Sequence, residues 1–316
     1  MKIATVSFNP AIDQTVSVND FRPNTVNRAQ SMHTNAGGKG VNVASILADY
    51  GLPVAVTGFL GEENAAIFEQ LFTRKQIDDH FIRLPGQTRI GIKIIDEANQ
   101  QTTDINLPGL TPTVAAVDRL FKTIDQLAAS CDWFVLAGKL PPSISAEIYA
   151  TIISRLKAHG KQVALDTSHE ALRHGMLAGP ALVKPNIDEL QQLVGYSLND
   201  QAAVEQAARQ LLEHGIQTVV VSMGERGAIF VDRHSSLIAI PPVVTVKSTV
   251  GAGDAMVAGL IAGHVQGLSL ADSARLATAF SVGTITLIGA HLPAADTLQN
   301  YLHHVSVHAL DHTQLS

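Results

Sequence analysis

The chain has one cysteine, Cys131, in 316 residues, which excludes an intramolecular disulfide framework and a cysteine-rich zinc site. Aromatic residues are scarce at 5%, with one tryptophan, and charged residues make up only 16%. Against these stands a hydrophobic share of 46%, so the chain is globular rather than disordered and long enough to bury a large core. It has no basic surplus, since 22 Lys+Arg face 28 Asp+Glu for a formal charge of −6. That balance offers no counterion-releasing footprint, and no nucleic-acid partner is expected. No stretch of 18 uncharged apolar residues occurs, so no membrane partner is expected either. Residues 1–10 read as a strand ending in a turn, not as a signal peptide. The expectation is a soluble, cytoplasmic protein. Two common phosphate-binding fingerprints, Gly-x4-Gly-Lys-Ser/Thr and Gly-x-Gly-x-x-Gly, are also missing.

What is present is a rhythm of short apolar runs separated by longer helical periods. Lys2–Phe8, Pro53–Thr57, Asp132–Ala137, Gln162–Asp166, Ala181–Val183 and Gln217–Ser222 are rich in Val, Ile, Leu and Ala, as strands buried on both faces are. Between them, Ile148, Ile152, Ile153 and Leu156 share one helix face, as do Val204, Ala207, Ala208, Leu211 and Leu212 after Asp200. Such alternation predicts an α/β fold, a parallel sheet covered by helices on both faces. Two segments break the rhythm. Residues 14–34 carry no convincing helix, and residues 89–107 read as two strands around a polar turn at Glu97–Gln100. Insertions in strand-to-helix connections commonly cover ligands. They are read together as a small β-sheet lid, discontinuous in sequence, on a body formed by 1–13, 35–88 and 108–316.

Three local patterns carry chemistry. In Thr249-Val250-Gly251-Ala252-Gly253-Asp254, small residues open a helix. After the Gly251 turn, the backbone N–H groups of Ala252, Gly253 and Asp254 could approach an anion, aided by the positive helix end. Asp254 would stand beside that anion hole as a proton acceptor, or serve simply as a helix N-cap. In Asn35–Ala44, the Gly37-Gly38 turn precedes a helix bearing Lys39 and Asn42, which offers donors, a cation and an amide to a polyol or phosphate. Alternatively it is a helix entry with a solvated lysine. Asp13 follows the first strand, where ligands of open α/β sheets bind and where it could accept sugar hydroxyl protons; it could equally be a turn aspartate.

In this order and spacing the three patterns resemble the PfkB, or ribokinase-like, family of carbohydrate kinases. The signature regions match at Gly37–Ala44 and Thr249–Gly259, with further matches at Lys184–Glu189 and Val221–Ala228. The resemblance covers essentially the whole chain and implies an ATP-dependent kinase with that family's fold. It places Ser222, Gly224 and Gly227 near the nucleotide with Lys184 and Asn186, and implies that Asn186 and Glu189 hold Mg²⁺ through water. Within the family the chain looks most like the 1-phosphofructokinase and tagatose-6-phosphate kinase branch. Asn9–Asp13, Thr25–Arg28, Ala36–Gly40, Thr88–Ile90 and Thr103–Gly109 carry that likeness. It implies a sugar-phosphate substrate, D-fructose 1-phosphate first and D-tagatose 6-phosphate as the rival.

Arg28, Lys39 and Arg89, in or beside the lid insertions, suit a substrate phosphate; Arg28 alone reads equally as a solvated surface residue. One departure stands out. The branch has a serine where this chain has Lys139, in Gly138-Lys139-Leu140-Pro141-Pro142-Ser143, and that lysine could add a phosphate cation or reshape the pocket. A non-catalytic sugar-phosphate sensor is the alternative of another class, and intact Asp254 argues against it. A nucleoside or plain-sugar kinase is a third, disfavoured by Lys39 and Arg89. The lid is expected to pair with a second copy in a homodimer, since small isolated sheets are marginal and exposed edges invite pairing. His303, His304, His308 and His312 crowd the end of the chain, but His304–His308 alternates like a strand and is not read as a metal site. Trp133 and Cys131 are read as core.

Overall fold

Strands form wherever a short apolar run can be covered on both faces. The computed structural model describes residues 1–310. Its strands are β1 (Ile3–Ser7), β2 (Ala11–Val18), β3 (Ala29–Gly37), β4 (Val54–Gly61), β5 (Asp78–Asp79), β6 (Ile82–Leu84), β7 (Ile90–Asp96) and β8 (Gln101–Asn106). They continue with β9 (Trp133–Ala137), β10 (Gln162–Asp166), β11 (Leu182–Val183), β12 (Thr218–Ser222), β13 (Ala228–Val231), β14 (Ser236–Ile240) and β15 (Ser306–Ala309). The helices are α1 (Lys39–Asp49), α2 (Ala66–Lys75), α3 (Val114–Ala128), α4 (Ile148–Ala158) and α5 (His169–Leu177). After them come α6 (Ile187–Val194), α7 (Gln201–Leu212), α8 (Ala252–Gln266), α9 (Leu270–Ile285) and α10 (Ala295–His304).

The large sheet has eleven strands, ordered β15-β14-β13-β12-β11-β10-β9-β1-β4-β5 with β6 also on β4. From β12 to β5 every pairing is parallel, as alternating strands and helices require. Beyond β12 the sheet turns antiparallel through β13, β14 and β15, an extension the sequence pattern does not announce. Successive residues of one strand face opposite cores: Trp133, Val135 and Ala137 join one apolar cluster, and Phe134 and Leu136 the other. The first cluster packs α1, α8 and α9, and the second α3, α4 and α7. Trp133 and Cys131 are buried in these cores, and burial pushes the Cys131 thiol up. Of the terminal histidines, His303 and His304 end α10 and His308 lies in β15, while His312 lies outside the described residues.

Helix α8 is apolar nearly all round, and Asp254 through Gly263 are all buried. It can lie that deep because Gly259 and Gly263 leave room for α9. A Cβ at Gly259 would stand 2.5 Å from Ala277 Cα, and one at Gly263 2.5 Å from Ser273 Oγ. This close approach fixes where the α8 N-terminus emerges.

The second sheet has four strands, ordered β3-β2-β7-β8. A parallel pairing of β2 with β7 joins the two insertions, register Asp13 to Gly91. The strands reach into Ala11–Asp13 and Asn35–Gly37, so this sheet also contains residues that the sequence reading put in the body. Among the described residues no helix is long and apolar enough to cross a membrane.

Candidate active site

The large sheet delivers its parallel strands with their carboxyl ends along one edge, and the site is built there. Four segments converge: the end of β10 with Asp166, the segment after β11 with Lys184, the start of α1, and the start of α8. Gly251 precedes α8 in a left-handed conformation with φ 83°, which a side chain would disfavour. This turn aims the first amides of α8 into the site. The N–H groups of Gly253 and Asp254 lie in the first turn, where a helix offers no internal acceptor. That of Ala252 is instead directed back to Thr249 O at 3.4 Å.

Asp254 is 5% exposed, and its Oδ2 accepts a 2.7 Å hydrogen bond from Asn42 Nδ2. It therefore does not act as a side-chain N-cap, for which α8 has none. Burial raises its carboxyl above the ordinary aspartate range, with Lys39 opposing and Asp166 adding to the rise. Asp166, which the sequence reading placed only at the end of a strand, is fully buried. Lys39 Nζ donates to both of its oxygens at 3.0 Å, and Lys184 Nζ lies 3.5 Å from Oδ1. Burial alone would raise Asp166, but the two ammonium groups hold it below the ordinary range. Burial also pulls Lys39 down, yet the carboxylates of Asp166 and Asp254 keep it above the usual lysine value. Lys184 is 3% exposed, and its Nζ stands 3.3 Å from where a Cβ at Gly253 would be. One cation thus lies against the α8 amides and the other beside Asp254.

The lid sheet roofs a cleft of about 220 Å³ lined by Asp13, Thr15, Asn35, Asn42, Gly91, Lys93, Asp104, Asn106, Ser248, Val250 and Gly289, among others. Asp13 sits on β2 between two glycines, and a Cβ at Gly37 would run into its carboxylate. Gly38, with φ 99°, lets the turn before α1 press against Pro10. Gly37 and Gly38 are therefore explained by close approach to the Asn9–Asp13 turn. Burial pushes Asp13 up to about 6, with the Arg89 guanidinium opposing. Arg89 donates from Nη1 to Asn106 Oδ1 at 3.1 Å and from Nε to Asn9 O at 3.4 Å. Lys93 is paired with Asp104 at 2.6 Å. Lys139 is exposed beyond the end of β9. It follows Gly138, whose carbonyl is held by Tyr149 and Thr167, each at 2.9 Å.

Toward the other end of the site, Asn186 pairs with Ser222 in an isolated bridge. Asn186 and Glu189 cap α6 reciprocally, Asn186 Oδ1 accepting from Glu189 N at 2.8 Å and Glu189 Oε2 from Asn186 N at 2.9 Å. Gly224 opens the turn after β12 with nothing near its Cβ direction, whereas a Cβ at Gly227 would strike Ala239 O. Gly227 is thus accounted for by the packing of β14. Of the residues proposed for the sugar end, Asp13 and Asn42 line the cleft, whereas Arg28 lies away from it. It is exposed just before β3, seven residues from Asn35 and so about 24 Å away along the strand.

This constellation can be set against known proteins. The description "pfkB family carbohydrate kinase" matches residues 6–297. The chain belongs to that family. As a pfkB kinase it takes ATP as a substrate. It is 47% identical over 311 residues to the 1-phosphofructokinase of Rhodobacter capsulatus, covering 98% of each chain. It is 40% identical over 309 residues to that of Vibrio cholerae serotype O1, covering 98% of this chain and 97% of the other. Its fold superposes on Escherichia coli phosphofructokinase-2, solved in complex with substrates and products. That match has a TM-score of 0.90 at 27% identity and covers 96% and 99% of the two chains.

Of the cleft-lining residues, Asn35 falls within Asn35–Ala44 and Asp104 and Asn106 within Thr103–Gly109, though none is given a role there; Asp166 and the cleft-lining Thr15 lie outside every motif. Their only sequence signal is position: each polar residue interrupts or ends a strand-like run. The lifted Asp13 carboxyl has a measurable consequence. Its folded value near 6 exceeds the ordinary one of about 3.9, so ionisation opposes folding as pH rises between the two and costs at most about 3 kcal/mol above them. Asp13→Asn is expected to raise the unfolding free energy by about 1–3 kcal/mol at pH 7.5, with a smaller gain at pH 5. Denaturant unfolding at both pH values checks this; no gain at pH 7.5 would contradict the strained carboxyl.

Proposed function

We propose that this pfkB kinase transfers the γ-phosphoryl group of ATP to D-fructose 1-phosphate, giving D-fructose 1,6-bisphosphate and ADP. The observation that carries the reading is Asp254, buried at the amide-bearing start of α8 behind a lid-roofed cleft. The likeness to 1-phosphofructokinases across nearly the full length supports the substrate.

Asp254 accepts the proton of the sugar 6-hydroxyl as that oxygen bonds to the γ-phosphorus, while the bond to the bridging oxygen breaks and its electrons leave with ADP. The carboxyl's raised affinity for protons suits a base that must hold one transiently. Amides of Gly253 and Asp254, with Lys184 and Lys39, offset the charge on the transferring group. Chemistry of this kind rests on positioning and charge stabilisation. Asp13 accepts hydrogen bonds from sugar hydroxyls, Asn42 orients Asp254, and Arg89 with the exposed Lys139 binds the sugar phosphate. Arg28 has no part in this cleft within one chain. Lys184, Asn186, Ser222 and Gly224 border the nucleotide.

The donor set suits Mg²⁺. Glu189 uses one oxygen in its cap and keeps the other uncommitted, and no cluster of three His, Cys, Asp or Glu occurs among the described residues. An ion held by one carboxylate, an amide, waters and phosphates matches how Mg²⁺ binds. Bound there, it would screen the phosphate charges of ATP. A cytoplasmic setting goes with the use of ATP.

A homodimer through the lid is part of the same reading. Strands β3 and β8 are the two edges of the small sheet. All of β8 and residues 29–34 of β3 are exposed, and Met32 is 61% and Ile105 48% accessible. Paired edges would cover this surface. Light scattering should give twice the 33.5 kDa chain mass; the mass of one chain would reject the dimer.

The catalytic reading is tested with Mg-ATP on fructose 1-phosphate, fructose 6-phosphate, tagatose 6-phosphate, fructose and ribose, with fructose 1-phosphate expected to give the highest kcat/KM. Asp254→Asn should lower kcat by roughly 10²–10⁴-fold with ATP still bound. Near-normal turnover in the folded variant would remove Asp254 as the base.

A further inference from the structure

Asp166 is the one member of the buried charge cluster to which the reaction gives no direct task. It lies at the end of β10, in the middle of the large sheet, with a fully buried side chain. A carboxylate there is unfavourable unless it is paired. Its partners come from two other segments: Lys39 opens α1 and reaches both oxygens at 3.0 Å, and Lys184 follows β11 and reaches Oδ1 at 3.5 Å. Both lysines also meet the reacting centre: Lys184 Nζ lies 3.3 Å from where a Cβ at Gly253 would be, and Lys39 is close enough to Asp254 to oppose the rise of its carboxyl.

Lysine is a flexible stem with a point charge, so its position is only as good as what holds it. Two ammonium groups sharing one oxygen would repel if the carboxylate were absent, and the more so away from water. The site therefore needs a negative charge between them before ATP arrives. Glutamine or asparagine in its place would fill the space but could not balance both cations. We propose that Asp166 is a positioning residue that holds Lys39 and Lys184 together beside the transferring phosphoryl group. This rests on the kinase reading of the same site.

Asp166→Asn keeps the shape and removes the charge. With Mg-ATP and D-fructose 1-phosphate, kcat should fall roughly 10²-fold, the scale of a misplaced catalytic contact, while each KM changes by less than about threefold, as expected when an interaction made mainly in the transition state is lost. A second readout follows from the groups that face Asp254: Asn42 and Lys39 from α1, Asp166 from β10, Lys184 after β11 and Asp13 from β2. Asp166 is one of the charges that lift Asp254, so the acid limb of the kcat–pH profile should move to lower pH in the variant. A third needs no substrate. Lys39, no longer held charged by Asp166, should be acetylated faster by acetic anhydride, read by peptide mass spectrometry.

A folded variant with wild-type kcat overturns the proposal. So does a fall in kcat with the acid limb and Lys39 labelling unchanged, because that is what a merely structural role would give. If Asp166→Asn does not fold, the charge-balanced pair Asp166→Asn with Lys184→Met is compared with Lys184→Met alone. Lys39 labelling must rise in the pair, and unchanged labelling overturns the proposal. If the wild-type chain fails to phosphorylate fructose 1-phosphate, the substrate reading falls, and the labelling comparison still decides the role of Asp166.

Discussion

Charge held out of water at the carboxyl edge of the large sheet is the constraint on which the rest of the structure depends. Asp254 and Asp166 are both buried, and neither would tolerate that position unpaired. Their partners come from strands and helices far apart in the chain: Asn42 lies 212 residues from Asp254, and Lys39 lies 127 from Asp166. The parallel strands of the large sheet end along one edge, and this brings these segments within hydrogen-bonding distance. The deep burial of α8, made by the Gly259 and Gly263 contacts with α9, completes the arrangement by setting its amides beside the cations.

The small sheet serves the same end from the other side. Its β2 strand carries Asp13 under the roof of the cleft, and its pairing with β7 brings Arg89 and Gly91 to the same place. Two stretches that make no sense as parts of the layered body become one surface. The strain stored in Asp13 is consistent with a site arranged for ligand rather than for stability.

The parallel part of the fold was legible because central strands such as Val135–Ala137 and Val219–Val221 are continuous apolar runs between amphipathic helices. The antiparallel edge was not. Strands β13 to β15 are four or five residues long, and one comes from the far end of the chain, so pairing rather than local pattern defines them. The places of Asp254, Lys39 and Asn42 in the first turns of α8 and α1 could be read because glycine turns mark helix starts. Asp166 could not, since a single acid after Val163, Ala164 and Leu165 looks like the end of a strand, and its partner lysines are remote in sequence. Arg28 shows the converse. Belonging to an insertion that forms the lid did not say at which end of the strand it would lie.

The central claim is that the start of α8, the two lysines and Asp254 meet at one reacting centre. A crystal structure of the chain with a non-hydrolysable ATP analogue, Mg²⁺ and D-fructose 1-phosphate tests it most directly. The account predicts the terminal phosphate of the analogue against the amides of Gly253 and Asp254, with Lys39 and Lys184 beside it. It also places the sugar 6-hydroxyl at about 2.6–3.2 Å from the Asp254 carboxylate. A terminal phosphate bound away from the start of α8, or a 6-hydroxyl directed at another acid such as Asp13, would contradict it.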